Sequence, residues 1–524
     1  MNTFEDEEYK KKFNIDIWRK VFKFTKNCRK DLVVLVFWLF TVAALDASFP
    51  LISRYAIDNF VENRDLSTIY AYVLVTLGAV VLIMFCVRAF VYYSGKVEHQ
   101  IIRDIRKASF ENLQELSFSY YDVTPIGWIM ARTVSDVVKI GNLLAWGFAD
   151  LFYGFVVIVF YIVAMLFLNP MLARYIIIAM PIVFILGIFF QSKILRGQRA
   201  IKRINSTITA LYNEGLAGAK TTKTITREKE NFEEFHEVTG DFRSKSIKVV
   251  GISSLFFIII GFIGNMVTAF TLAGGAKELE VINTTLTIGT LSAFILYIGQ
   301  VFEPIQNIAR IFSELQSAQA SGERTISLIE TKPAVTDTSD VIEKYGTSLN
   351  PKYENFETLH GDVEFKNVSF SYIPEEPILK DFSLKVNKGE QIALVGETGS
   401  GKSTIINLIC RFYEPVSGEI LIDGENYKDR SQLWLHSNLA YVLQTPHLFS
   451  GSIMENIRYG KLDATDEEVI EAAKKVDAYD FIMNFEDGFN TDVGEGGAKL
   501  SQGERQLVSF ARAIIGEPAI FVLD

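Results

Sequence analysis

Six stretches of this 524-residue chain are too apolar to sit comfortably in water. Residues 69–87, 151–168, 175–191, 249–276 and 281–302 contain no Asp, Glu, Lys or Arg, and residues 32–53 contain only Asp46. A helix needs about 20 such residues to cross the hydrocarbon core of a bilayer, where no water satisfies a bare backbone or a lone charge. The sequence therefore predicts six membrane-spanning helices. Past residue 310 the long apolar runs stop, and the composition becomes the mixed, charged one of a soluble α/β domain.

Basic residues predict the orientation, because they are retained on the cytoplasmic side. Lys10, Lys11, Lys12, Arg19, Lys20, Lys23, Lys26, Arg29 and Lys30 precede the first span. Lys96, Arg103, Arg106, Lys107, Arg132 and Lys139 lie between the second and third, and Lys193, Arg196, Arg199, Lys202, Arg203, Lys220 and Lys223 between the fourth and fifth. The alternate connections, residues 58–66, 169–170 and 277–280, are short and nearly free of positive charge. Both termini are thus expected in the cytoplasm, with the protein multi-pass in the cytoplasmic membrane. The charged leader, residues 1–30, lacks the short apolar core of a cleavable signal. Its Phe13, Ile17, Trp18, Val21 and Phe24 recur at helical spacing beside Arg19, Lys20 and Lys23, which predicts an amphipathic helix on the inner membrane surface. A disordered basic tail is the alternative.

The membrane domain is assigned to residues 31–330. Its two long cytoplasmic connections are rich in helix formers and would carry the spans well into the cytosol. The first contains a turn at Tyr121-Asp122-Val123-Thr124-Pro125-Ile126-Gly127, and the second contains Gly215, Gly218 and Thr221-Thr222-Lys223-Thr224. A net charge of −10 argues against nucleic acid as a partner. Cys28, Cys86 and Cys410 are too scattered for a disulfide framework or a zinc site.

Residues 331–358 form a polar linker, and the second domain is assigned to 359–524. There Gln391-Ile392-Ala393-Leu394-Val395, a short buried-strand pattern, runs into Gly396-Glu397-Thr398-Gly399-Ser400-Gly401-Lys402-Ser403-Thr404 and then the apolar Ile405, Ile406, Leu408 and Ile409. This is a phosphate-binding loop in the strand–loop–helix context that it requires. Glycines let backbone N–H groups converge on phosphate oxygens, and the helix N-terminus adds a favourable dipole. Lys402 would reach the terminal phosphates of ATP, while the Ser403 hydroxyl would coordinate Mg²⁺. Further on, Ile520-Phe521-Val522-Leu523-Asp524 reads as an apolar strand ending in an acid that would hold the Mg²⁺ shell. The expected fold class is an all-α polytopic membrane domain followed by an α/β P-loop NTPase domain.

These residues resemble the ABC transporter family. Leu500-Ser501-Gln502-Gly503-Glu504-Arg505-Gln506 looks like its signature sequence, departing from the common form at Gln502 and Glu504. The resemblance implies that Ser501 and Gly503 contact the γ-phosphate bound by a second chain, that Tyr372 stacks on adenine, and that Gln444 serves Mg²⁺ and coupling. Asp492-Val493-Gly494-Glu495-Gly496 resembles the loop that meets the coupling helices in exporters, and residues 121–127 and 214–228 resemble the two coupling regions. A membrane domain preceding an ATP-binding domain in one chain is the exporter order. The resemblance implies Lys402, Gln444 and Asp524 as catalytic, a dimer with a second half-transporter chain, and an amphipathic, drug- or lipid-like cargo. The family's catalytic glutamate and switch histidine would follow Asp524, so the nucleotide domain is expected to be truncated and this form not to hydrolyse ATP. A non-hydrolysing subunit of a heterodimer is the alternative. Asp46 and Glu303, in the first and sixth spans, are candidates for attracting cationic amphiphiles; helix–helix pairing is the plainer reading.

Overall fold

The computed structural model describes residues 14–279 and 286–523. Lys10, Lys11, Lys12 and Phe13 of the leader, Glu280 of the expected outer turn at 277–280, residues 281–285 of the expected sixth span and Asp524 lie outside the described residues, while residues 277–279 continue the fifth long helix. The chain folds as two units. One holds residues up to Phe110 together with Ile129–Glu330, and the other holds Glu111–Trp128 together with the chain from Thr331 onward.

The first unit is helical. After α1 (Ile15–Lys23) come α2 (Arg29–Ala56) and α3 (Ile69–Glu115). The chain then forms the short α4 (Phe118–Val123), which with the start of α5 (Ile126–Met130) belongs to the second unit, and continues through α6 (Val137–Asn142), flanked by wide π-type turns, into α7 (Phe148–Leu168). The unit is completed by α8 (Pro170–Ala217), α9 (Ala219–Thr224), α10 (Glu228–Leu279) and α11 (Ile288–Glu330). Six segments among the described residues are long and apolar enough to cross a membrane, so the predicted spans are present. At 52 residues, α10 is about 78 Å long, well over twice the thickness of a hydrocarbon core.

Local chemistry sets the helix ends. Asn169 caps α8 by accepting from the N–H groups of Met171 (2.9 Å) and Leu172 (3.1 Å), with Pro170 at the first helical position, where a missing N–H costs nothing. Asp58 joins two helices: its carboxylate accepts from Gly289 N–H (2.8 Å) and Thr287 Oγ1 (3.0 Å) at the start of α11 and is paired to Arg54 (3.2 Å). Val157, Met165, Ile176, Val183, Phe294 and Val301 form the middle of the core.

The leader forms the expected helix, and one side of it packs on protein. Trp18 and Val21 are 7% and 1% exposed and share a core cluster with side chains of α3 and α11. The Asn14 N–H donates to Gln319 (3.1 Å), Lys20 pairs with Glu330 (2.6 Å), and Ile17 and Val21 pack over Gly322. The apolar stripe has found a protein groove; Ile15 and Phe22 stay exposed.

The second unit contains α12 (Ser339–Tyr345), the small pair β1 (Gly346–Thr347) and β2 (Asn350–Pro351), and then β3 (Val363–Phe370) and β4 (Leu379–Val386). Next are α13 (Lys402–Ile409), β5 (Ser417–Ile422), β6 (Glu425–Asn426), α14 (Gln432–Ser437) and β7 (Leu439–Val442). Then α15 (Ile453–Arg458), α16 (Asp466–Lys475), α17 (Tyr479–Met483) and α18 (Gln502–Ile514) lead to β8 (Ile520–Leu523). An antiparallel sheet has the order β4-β3-β5-β6, and β7 pairs in parallel with β8, Val442 opposite Leu523. Residues 391–395, predicted as a strand, form no ladder: Val395 is 92% exposed, and only Leu394 packs inward. An apolar run reports a tendency to be covered, and strand formation also needs a neighbouring backbone, which none of the described residues supplies there.

Candidate nucleotide site

The phosphate loop closes on its own lysine. Lys402 Nζ donates to the carbonyls of Gly396 and Glu397, both at 2.8 Å, so the ammonium stands inside the curve of the loop. Gly399 and Gly401 have φ of 87° and 91°, the left-handed region that side chains avoid. A Cβ on Gly396 would lie 2.7 Å from Ser400 Oγ, and one on Gly401 would press on Ile378 and Leu379. The loop is thus a tight backbone cradle with a cation at its centre. Phosphate oxygens can replace the two carbonyls as partners of Lys402, which is the test that ATP must pass here. Thr404, in the first turn of α13, is buried, and Ser403 precedes it at the mouth.

Tyr372 lies at the side of this loop. Its hydroxyl accepts from Asn407 Nδ2 (3.0 Å) on α13, and its ring meets Tyr413 edge-on, with centroids 4.9 Å apart. Tyr372 remains 43% exposed. Sequence reasoning did not find Asn407 or Tyr413, because neither belongs to a contiguous motif. Tyr413 also donates to the carboxylate of Asp122 in α4, and the neighbouring Phe412 stacks on Phe118 with centroids 3.9 Å apart. The first predicted coupling turn therefore packs beside the nucleotide site, in the same folding unit.

Gln444 is exposed two residues beyond the end of β7, and Asp524 follows β8 in sequence, beyond the described residues. The two strands are parallel neighbours, so Gln444 lies just past a carboxyl end of this sheet, where α/β domains place ligand-binding groups.

The signature occupies a different packing cluster. Ser501 caps α18: its Oγ accepts from Glu504 N–H (3.3 Å), while the Glu504 carboxylate accepts from Ser501 N–H (2.7 Å). Glu504, a departure from the common signature, thus completes a reciprocal cap that the Ser-x-x-Glu spacing could have revealed. A Cβ on Gly503 would meet nothing within 4 Å, so this part of the helix start is open. Leu500 and Val508 anchor α18 against α15 and α16, whereas α13 packs on the β3–β5 side of the unit. The three cysteines are free and buried; burial pushes the Cys410 thiol up to about 12.

A bundle of membrane-length helices fused to a domain with this phosphate cradle and this signature helix defines a membrane transporter of the ATP-dependent class. Family descriptions agree: that of the ABC transporter transmembrane region matches residues 32–305, and that of the ABC transporter matches residues 379–524. The chain belongs to the ABC transporter family, in the fused arrangement of an exporter-type half-transporter. It is 31% identical to the Bacillus subtilis "Uncharacterized ABC transporter ATP-binding protein YknV", over 99% of this chain and 84% of that protein. It is also 31% identical to the B. subtilis "Putative multidrug export ATP-binding/permease protein YgaD", over 97% of this chain and 86% of that one.

Proposed function

We propose that this chain is one half of a dimeric exporter that uses ATP to move amphipathic small molecules out across the cytoplasmic membrane, with its ATP-binding unit in the cytoplasm. The observation that carries the reading is the Lys402-centred cradle in the same polypeptide as six membrane-length helices. The backbone of Gly396, Thr398, Gly399, Ser400 and Gly401 would surround the phosphates, with Lys402 neutralising them and Thr404 closing the helix start. Tyr372 would hold adenine. Ser403, Gln444 and Asp524 would hold Mg²⁺, which supplies charge neutralisation at the transferring phosphoryl group.

Two features support a dimer. Ser501 and Gly503 stand on a packing cluster separate from that of the cradle, which suits their use by a partner's nucleotide. The tip of the α8–α10 hairpin also presents Leu216 (76% exposed), Ile225 and Phe232 to the outside, an apolar knob that would fit a second chain. Multidrug export is named for the YgaD relative, which supports the cargo class.

Replacing Lys402 with Ala in the full-length protein should weaken ATP binding about 10- to 100-fold, the worth of charged hydrogen bonds to phosphate. ATP-driven uptake of a fluorescent amphiphile into inside-out vesicles should stop. Uptake that persists in that variant would overturn the reading.

A further inference from the structure

The membrane unit contains a cavity of about 260 Å³ between α2, α7 and α11, lined by Asp46, Phe49, Tyr153, Tyr161, Gln300 and Glu303. Its polarity is unusual for helices of this hydropathy, and its charges are uncompensated. Elsewhere in the same unit aspartates answer to cations: Asp31 to Lys96 (2.8 Å), Asp58 to Arg54 (3.2 Å), Asp136 to Arg324 (2.7 Å) and Asp150 to Arg310 (3.1 Å). Asp46 and Glu303 have no such partner among the described residues, and no Lys or Arg lines the cavity. Arg310, further along α11, is held by Asp150 and Glu314.

A second observation concerns the hydroxyls. Tyr153 donates to Asp46 (2.6 Å) and Tyr297 to the Ala47 carbonyl (2.7 Å), so both are engaged. Tyr161 is only 4% exposed, lines the cavity, and makes no hydrogen bond among the described residues. Its hydroxyl is open to the cavity, so a group seated there can engage it. The positions open to a ligand are the second oxygen of Asp46, both oxygens of Glu303 and the Tyr161 hydroxyl, beside the Gln300 and Asn307 amides, which accept as well as donate; the two carboxylates are the charged ones and only accept. The rings of Phe49 and Tyr161 also line the cavity, and aromatic rings suit a cation.

We infer that this cavity binds the head of a protonated amine carrying at least one N–H, with its apolar remainder outside the polar walls. The inference rests on the export reading and narrows its cargo. N–H donors are preferred because Asp46 and Glu303, the charged groups of the site, only accept; a quaternary ammonium has charge but nothing to donate. The volume matches a head group rather than a whole drug-sized molecule, which needs some 300–1,000 Å³.

Three fluorescent probes of one chain length test it: a dansyl-tagged dodecylamine, its trimethylammonium analogue and its uncharged N-acetyl analogue. Binding to the full-length protein in detergent is read by anisotropy. The primary amine should bind about tenfold tighter than the other two. Glu303→Gln and Asp46→Asn should each shrink that preference to about twofold or less. Glu303 is exposed and makes no hydrogen bond among the described residues, so its substitution disturbs no packing. In Asp46→Asn the amide oxygen can still accept from Tyr153, so that helix contact is kept. Equal binding of the three probes, or a preference that survives both substitutions, overturns the inference. Failure of ATP to drive any probe into inside-out vesicles overturns the export reading instead, and the binding order is measured independently of it.

Discussion

Glu504 is a residue whose role is stability where its neighbours are expected to serve a nucleotide. Its carboxylate completes the cap on α18, so Glu504→Ala should destabilise the second unit by about 1 kcal/mol, whereas Glu504→Gln, which can accept the same N–H, should retain most of that. Denaturant unfolding of the two variants checks this. His436 makes a different kind of prediction. It is buried, with Nε2–H donating to the Cys410 carbonyl (2.7 Å), and burial holds its pKa below the ordinary 6.5, aided by the nearby Arg411 charge. The unfolded chain takes up a proton as pH falls through 6.5, and the folded one only at lower pH. Stability should therefore be intact at pH 7 and decline toward pH 5, and His436→Gln should flatten that slope in thermal unfolding. The lysine and glycines of the cradle were legible in the sequence because loop geometry is written in consecutive residues. Tyr413 and Asp122 were not legible as a pair, since 291 positions separate them and only the folded backbone brings them together.

Among the elements, the membrane helices were legible because a bilayer admits few alternatives to a long apolar helix. Even their short turn at Asn169-Pro170 follows from capping chemistry alone. The run at 391–395 was not: its apolarity suggested a strand, but a ladder needs a partner that no local pattern names. Nor did the leader reveal its seat, since an amphipathic stripe fits lipid and protein alike, and Gly322 is what lets Ile17 and Val21 settle on α11. The junction of α2 and α11 permits a sharp test. A Cβ at Gly289 would stand 2.3 Å from Asp58 Oδ1 and 2.5 Å from the Arg54 carbonyl, so Gly289→Ala must push the helix ends apart. It should cost about 1–3 kcal/mol, the usual penalty of overpacking, read as a lower melting temperature of the full-length protein in detergent. Ala substitution at Gly299, inside α11 where a Cβ meets nothing within 4 Å, should leave it unchanged or raise it slightly.

For the whole molecule, the order of units along the chain was legible from hydropathy, but their membership was not. The stretch Glu111–Trp128 lies between membrane helices in sequence and folds with the ATP-binding residues. Its Asp122 reaches Tyr413, which touches Tyr372, so a base stacked on Tyr372 as proposed would be two side chains away from the turn at residues 121–127. Tyr413→Phe keeps the ring and removes the hydrogen bond. It should lower amphiphile uptake per ATP consumed several-fold while ATP affinity changes less, and equal losses in both would remove Tyr413 from the link.

The polypeptide crosses from one unit to the other three times, near residues 110, 128 and 330, although only the last crossing looks like a linker. A gene fragment opening at Thr331 would thus be an amputation rather than an excision: Phe412 would lose the ring it stacks on, Val335 the Ser117 hydroxyl that its N–H donates to (2.9 Å). Such a piece would present a raw apolar scar to water, and grafting it onto a foreign permease would require transplanting the loop that heals it.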